Sequence, residues 1–271
     1  MYVVADIGGT KMRVAGSHDL SRFDEPVIVD TPRSYKDGLA AFVDAAKKIS
    51  GNEAIEGVAA GLTGVLVAHK KSLFKSNIPD WDGRPVAEDI ETALQSRVYL
   101  ENDTALVGLG EAVYGAGKGS SILVYITVST GVNGVRIVDN HIDRAAIGFE
   151  IGEQCLSMGE KPHTLGELIS GKAISEKYGK HPRELGKDNP LWEELAEVLA
   201  YGLNNTILHW SPNRVVIGGS MMNEIGIPVD RVRVHLKTIL TKLPELPEII
   251  HSSLGEVGGL WGGVALLKQA A

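Results

Sequence analysis

Runs of apolar residues that stop abruptly at glycine punctuate this chain. Val3-Val4-Ala5 leads through Asp6 and Ile7 into Gly8-Gly9-Thr10-Lys11, after which Met12 and Val14 alternate with Arg13. The pattern predicts a β-hairpin whose turn is stripped of side chains. Ile122-Leu123-Val124-Tyr125-Ile126-Thr127-Val128 repeats the shape, followed by Ser129-Thr130-Gly131-Val132-Asn133-Gly134 and then Val135-Arg136-Ile137-Val138. Two such hairpins about 120 residues apart predict a duplicated architecture, two related domains facing each other across a nucleotide.

The remaining patterning alternates between helix and strand. Helical spacing with a basic last turn covers 38–49. Residues 55–60 read as a strand closed by Gly61-Leu62-Thr63-Gly64-Val65, a turn placed where α/β sheets meet ligands. A polar loop over 75–81 contains Pro79, and 86–94 returns to a helical pattern. A short strand over 97–100 delivers Glu101-Asn102-Asp103 to a helix over 104–111, with Asn102 or Asp103 as its N-cap. Further on, helices are predicted over 165–178, 190–209, 229–240 and 260–267, the second of them long, amphipathic and opened by Pro190. Strands are predicted at 215–217, running into Gly218-Gly219, and at 248–252 on a sheet edge. No low-complexity linker interrupts the pattern, so two domains would share a tight interface and a cleft.

Composition narrows the class. A chain of 271 residues with 44% apolar and 23% charged residues fits one large or two modest globular domains. A net charge of −7 argues against a nucleic-acid surface. The lone cysteine, Cys155, forbids an internal disulfide and any multi-cysteine zinc site, and His163 nearby has no second ligand beside it. Cys155 is therefore read as a small buried or half-buried residue. No apolar run approaches the ~18 residues of a membrane span. The start, Met-Tyr-Val-Val-Ala-Asp, has no basic leader segment, so a cytoplasmic location is expected.

Four places could carry chemistry. In the first turn Gly8 and Gly9 let a ligand approach the backbone, while Thr10 adds a hydroxyl and Lys11 a cation at the rim. Such a turn can cradle phosphate oxygens, and Asp6 at the strand end could hold Mg²⁺ through water. An ordinary tight hairpin is the plain alternative. Asp103 could take the proton of a substrate hydroxyl as it attacks phosphate, with Asn102 both donating to and accepting from that hydroxyl. An isolated Asn-Asp pair would more simply cap a helix, but beside two phosphate-type turns the base reading is preferred. Glu150 and Glu153, three apart, would share a helix face as a polyol clamp or as a solvated first turn. Gly218-Gly219 would let an adenine ring lie on the backbone, or simply turn the chain.

With these residues in view, the chain resembles the ROK (repressor, open reading frame, kinase) family of bacterial sugar kinases, glucokinase-like, nearly end to end. Asp6-Ile7-Gly8-Gly9-Thr10-Lys11 is similar to that family's first phosphate motif. Ser76-Asn77-Ile78-Pro79-Asp80-Trp81 resembles its Asn-Leu-Pro-x-Trp loop. Glu101-Asn102-Asp103, with Gly110-Glu111 and Gly115-Ala116-Gly117, resembles its most specific stretch, in which the Asp is the catalytic base. Ser129-Thr130-Gly131-Val132-Asn133-Gly134 resembles the second phosphate motif and Val216-Ile217-Gly218-Gly219 the adenosine motif. The resemblance implies an α/β, actin-like ATPase (ribonuclease H-like) fold of duplicated domains with a nucleotide and sugar cleft between them. It implies a small domain of residues 1–105 plus about 257–271 and a large one of 106–256. It implies ATP and Mg²⁺ as cofactors, a sugar as the other substrate, and a homodimer. Gly64, Asn77, Asn102, Glu150 and Glu153 would form the sugar end.

The sequence departs from the family at that sugar end. The usual Glu-x-Gly-His stands here as Glu150-Ile151-Gly152-Glu153. The cysteine-rich zinc segment is missing, since 155–170 is short and holds one cysteine, so no zinc is expected. A glutamate usual before Ser170-Gly171 is Gly166 here, unless Glu167 takes its place. The second phosphate motif has Ser129 and Val135 where glycines are usual. No helix-turn-helix precedes Tyr2, so the repressor branch is not expected. The leading expectation is ATP-dependent phosphorylation of a hexose or hexose derivative with Asp103 as general base. A non-catalytic sugar or nucleotide sensor, and an ATPase acting as a partner switch, are the alternatives.

Overall fold

A computed structural model describes residues 1–67, 69–159 and 161–271. The chain divides into two compact units, Met1–Tyr114 with Arg144–Gly148 and Glu256–Ala271, and Gly115–Asp143 with Phe149–Gly255.

The first unit opens with β1 (Tyr2–Ile7), β2 (Lys11–Ser17), β3 (Val27–Asp30), α1 (Tyr35–Ser50) and β4 (Gly57–Leu62). It continues with β5 (Val65–Val67), β6 (Ser72–Phe74), α2 (Val86–Leu94), β7 (Val98–Asn102) and α3 (Asp103–Val113). Its sheet has the order β3-β2-β1-β4-β7, the first three strands antiparallel and the last two parallel to β1. The β1–β2 hairpin closes with Ile7 opposite Met12. β5 and β6 form a separate small hairpin that the apolar pattern did not announce.

The second unit carries β8 (Ile122–Val128), β9 (Val132–Val138), β10 (His141–Ile142), α4 (Leu165–Ile169), α5 (Gly171–Tyr178) and α6 (Leu191–Trp210). β11 (Arg214–Gly218), α7 (Val229–Ile239) and β12 (Glu248–His251) complete it, and α8 (Gly258–Ala270) belongs again to the first unit. The strand order is β10-β9-β8-β11-β12, once more an antiparallel three-strand start joined to two parallel strands. The duplicated hairpins of the sequence thus open two sheets with one topology.

The consecutive apolar residues Val3, Val4 and Ala5 of β1 reflect burial on both faces, as a covered sheet requires. Val3, Ala5 and Ile7 pack with Phe42, Ala46, Trp81 and Ile90, whereas Val4 packs with Leu260 and Val264 of α8. α8 also lies against α3 at backbone distance. A Cβ added to Gly262 would come within 1.8 Å of the Leu106 carbonyl oxygen, and one on Gly110 within 2.4 Å of that of Gly258. The first unit therefore extends through α3 to Tyr114. In the second unit the apolar stripe of α6, Leu195, Leu199, Leu203 and Ile207, meets Val124, Ile126, Val215 and Ile217 of the sheet.

Local chemistry explains most element ends. Ser34 caps α1 by accepting from the Asp37 amide, and Gly51 ends it at positive φ. The helix expected over 165–178 is two helices. Ser170 is extended, ends α4, and starts α5 by accepting from the Ala173 amide at 3.1 Å. No helix among the described residues is long and apolar enough to cross a membrane.

Candidate active site

In the first unit the turn between β1 and β2 is tied down from behind. Thr31, beyond the end of β3, donates through its amide to the Thr10 carbonyl (2.8 Å) and through its hydroxyl to the Gly8 carbonyl (2.8 Å). The Gly8 amide is taken by the Lys11 carbonyl at 3.0 Å. Among the described residues, the amides of Gly9 and Thr10 remain as the turn's donors for an anion. Lys11 and Thr10 are exposed at the rim.

Asp6, one residue before the end of β1, stands directly opposite Arg13 and against the first turn of α8, where a Cβ on Gly259 would stand 3.3 Å from the Asp6 Cγ. Arg13 also forms an ion pair with Glu256. Burial raises the Asp6 carboxyl to about 7, the charge of Asp103 adds to the rise, and Arg13 opposes it. An ionised pair of acids held this close is relieved by a cation, and Mg²⁺ is commonly held by one or two carboxylates with its waters retained. The residues present fit that ion in this limited sense. No group of three or more His, Cys, Asp or Glu side chains among the described residues could hold a metal by itself.

Asn102 and Asp103 divide two roles that the sequence left open between them. Asn102 is the N-cap of α3, its Oδ1 accepting from the Ala105 amide at 3.2 Å. Its Nδ2 donates to the Gly64 carbonyl at 3.0 Å, which leaves one donor and one lone pair for a ligand. Asp103 is the first residue of α3 rather than its cap. Its Oδ1 accepts from the Thr104 amide at 2.6 Å and from the Thr104 hydroxyl at 3.3 Å, and the nearby Thr63 side chain favours the ionised carboxylate. Burial raises its pKa and those hydrogen bonds oppose the rise. Glu101, buried, accepts from the Asn102 amide and pairs with Lys70.

The 75–81 loop is anchored by apolar residues as well as polar ones. Ile78 and Trp81 are buried, and Asp82 accepts from the Ser76 amide at 3.0 Å. Asn77 lies against the phosphate-type turn, since a Cβ on Gly9 would be 3.3 Å from its own Cβ. Its Nδ2 donates to the Thr63 hydroxyl oxygen at 2.8 Å. Gly64 has φ +115 and faces the Ser76 backbone so closely that a Cβ would lie 2.8 Å from the Ser76 Cα. Thr63, Thr31, Arg13 and Gly259 were missed in the sequence. Only Thr63 carried a signal, its place in a glycine-bracketed turn.

In the second unit the corresponding turn, Ser129 to Gly131, is also held by its carbonyls. The Gly171 amide donates to the Ser129 carbonyl (2.7 Å) and the Lys172 amide to that of Thr130 (3.2 Å). Ser129, which replaces a glycine of the motif it resembles, uses its hydroxyl oxygen to accept from the Ser220 amide at 3.1 Å. It thereby joins the turn to Gly218-Gly219. Gly219 has φ +99, and a Cβ there would be 2.3 Å from the Val128 carbonyl oxygen. The two glycine motifs of this unit are neighbours.

Glu150 and Glu153 do not share an α-helix. They bracket a single 3₁₀ turn, Ile151–Glu153, with Glu150 at its N-cap; Glu153 is exposed and Glu150 is exposed beside it. The turn packs tightly on β9, since a Cβ on Gly152 would fall 2.0 Å from the Val132 carbonyl oxygen. Gly166 packs on the same glycine, and a Cβ added to it would lie 3.3 Å from the Gly152 carbonyl oxygen. Glu167 instead completes a capping box with Thr164 at the start of α4. Cys155 is exposed, contrary to expectation, because it sits at the open end of a hairpin bridged to Thr164. That hairpin is closed by the Leu156 amide on the His163 carbonyl (2.9 Å) and the His163 amide on the Ser157 hydroxyl (2.8 Å). Glu160, in the same stretch, lies outside the described residues.

Known proteins share both the sequence pattern and the fold. Residues 2–270 match the family model described as ROK family. A glucokinase of Thermotoga maritima is 28% identical, the alignment covering 97% of this chain and 96% of that protein. An N-acetyl-D-glucosamine kinase of Photobacterium profundum is 25% identical over 98% of this chain and 99% of its own. Among solved structures, a ROK family glucokinase from Streptomyces griseus, in complex with glucose and AMPPNP, superimposes with a TM-score of 0.83 at 23% identity, covering 99% of each chain. The fold is the duplicated actin-like ATPase architecture.

Proposed function

The chain belongs to the ROK family, and from that premise we propose that it transfers the γ-phosphoryl group of ATP to a hydroxyl of a hexose or hexose derivative, with Asp103 as general base. The observation that carries the reading is the division of labour at the start of α3. Asn102 does the capping, so the start of α3 occupies only one oxygen of the Asp103 carboxylate, the Oδ1 that accepts from the Thr104 amide. Thr104 and Thr63 hold that carboxylate in place.

In this mechanism Asn102 orients the sugar hydroxyl with its remaining donor and lone pair. Asp103 takes the hydroxyl proton as the new sugar O–P bond forms and the β–γ P–O bond of ATP breaks. The amides of Gly9 and Thr10, with Thr10 and Lys11 beside them, offer donors and positive charge to phosphate oxygens. In the second unit the amides of Thr130 and Gly131 would serve in the same way, the Ser129 amide being taken by the Gly131 carbonyl, and Gly218-Gly219 would offer flat backbone to adenine. Asp6 would hold Mg²⁺ through water, and that ion supplies neutralisation of phosphate charge. Glu150 and Glu153 would meet the sugar. The names of the two aligned kinases, for glucose and for N-acetyl-D-glucosamine, support a hexose-type substrate.

The test is ADP release from ATP against a panel of hexoses, amino sugars and N-acetyl sugars. Sugar-dependent turnover is expected. Nucleotide binding with no sugar-dependent turnover would overturn the kinase in favour of a sensor. Sugar-independent hydrolysis would point to an ATPase switch.

A further inference from the structure

We propose that Thr63 is a positioning residue for the Asp103 carboxylate, oriented as a one-way donor by Asn77. The inference rests on the kinase reading for its consequence but on local geometry for its existence. β4 and β7 run parallel with Leu62 beside Asn102 as the last registered pair. Thr63 and Asp103 are each the next residue, so they leave the sheet side by side. The approach is close, since a Cβ on neighbouring Gly61 would lie 3.3 Å from the Asp103 Cα.

Thr63 is 7% exposed, so its hydroxyl is cut off from bulk water and needs protein partners. One partner is fixed as a donor. The Asn77 amide nitrogen, at 2.8 Å, has hydrogens to give and no lone pair to accept with. The Thr63 hydrogen must then go elsewhere, and the Asp103 carboxylate, which leaves the sheet beside Thr63 and whose pKa Thr63 lowers, is the acceptor we assign to it. The chain of donation therefore runs from Asn77 to Thr63 to Asp103. A β-branched side chain has few χ1 choices, which adds stiffness to the link.

The other contacts of Asp103 come from its own helix. Thr104 holds one carboxylate oxygen through its amide and hydroxyl. A contact from the end of β4 supplies a second direction of restraint, which one helix turn cannot do alone. The charged groups around the pair are Asp6 at the end of β1 and, facing Asp6, Arg13 of β2. Asn77 is itself seated against Gly9, so the line of contacts links the phosphate-type turn to the proposed base. Asn77, expected as a sugar contact, acquires a role in aligning the base.

The experiment compares wild type with Thr63→Val, which keeps the shape and removes the hydroxyl, and Thr63→Ser, which keeps the hydroxyl. Thr63→Val should lower kcat by about tenfold or more, with KM for ATP and the melting temperature little changed, since slight misplacement of a reacting group can cost ~10²-fold. Thr63→Ser should stay within about threefold of wild type. Equal losses in both variants, or none in Thr63→Val, would overturn the proposal. A second readout needs no turnover. At one fixed alkaline pH, the ¹³C resonance of the Asp103 carboxyl, assigned by its loss in Asp103→Asn, should move in Thr63→Val and stay in Thr63→Ser. An identical resonance in all three proteins overturns the contact. A resonance that moves in a protein without kinase activity supports the contact and refutes the kinase reading alone.

Discussion

Asp6→Asn should be more stable than wild type at neutral pH, by an amount that grows from about pH 4 and levels off above about pH 7. Asp6 has its carboxyl raised from 3.8 to about 7, so the folded protein holds that proton more tightly than the unfolded chain does. The sign follows from linkage. The group's contribution is fully present below about pH 4 and is lost as pH rises through about 7, because the unfolded chain releases its proton first. At about 1.4 kcal/mol per unit, the full span sets an upper bound of roughly 4 kcal/mol on the destabilisation at pH 8. The carboxylate is not wholly cut off from solvent, and screening reduces the figure to about 2–3 kcal/mol. Asparagine keeps the shape and never ionises. Urea unfolding of both proteins, followed by tryptophan fluorescence at several pH values from 4 to about 8.5, should show curves that coincide in acid and diverge as pH rises. A gap that is the same at every pH would refute the argument, because it would mean that Asp6 ionises alike in the folded and unfolded chains.

Gly262→Ala should destabilise the first unit by about 2–4 kcal/mol, visible as a lowered melting temperature, because overpacking against backbone cannot relax by side-chain movement. The added Cβ would stand 1.8 Å from the Leu106 carbonyl oxygen, and an unchanged melting temperature would contradict the close α3–α8 packing. Glu153→His should let glucose gain on the preferred wild-type substrate in a competition assay, since an ionised Glu153 offers only acceptors where histidine can donate. An amino sugar should be favoured by the wild type. The same substrate ranking in both proteins would make Glu153 a solvated surface residue.

The parts of this molecule that the sequence displayed are those whose cause is local or periodic. β1 is apolar on both faces because helices cover both, and that double burial is visible as the consecutive apolar residues Val3, Val4 and Ala5. α2 occupies Val86–Leu94, where its spacing predicts it, because its buried positions Val86, Ala87, Ile90 and Leu94 repeat at helical intervals. The glycine turns were visible because Gly8 and Gly219 meet backbone, and Gly9 and Gly218 side chains, at close range. What escaped depends on partners far away in the chain. Nothing near Thr63 reveals that Asn77 donates to it or that Asp103 receives from it. The break at Ser170 was hidden because apolar spacing continues across it, while the serine caps the second helix. The Ile151–Glu153 turn looked like the start of a helix because two acids three apart suit one. The Val132 backbone against Gly152 shows how tightly it is packed instead. β3 has only alternately half-buried positions, too weak a pattern to announce a strand.

In the proposed reaction a carboxylate at the start of α3, that of Asp103, accepts the proton of a sugar hydroxyl during phosphoryl transfer. Steady-state turnover of Asp103→Asn with saturating ATP and the preferred sugar tests it most directly. A fall in kcat of about 10²–10⁴-fold, the range of general-base contributions, is expected, with ATP affinity and melting temperature retained. A variant that keeps more than about a tenth of the wild-type kcat would contradict it.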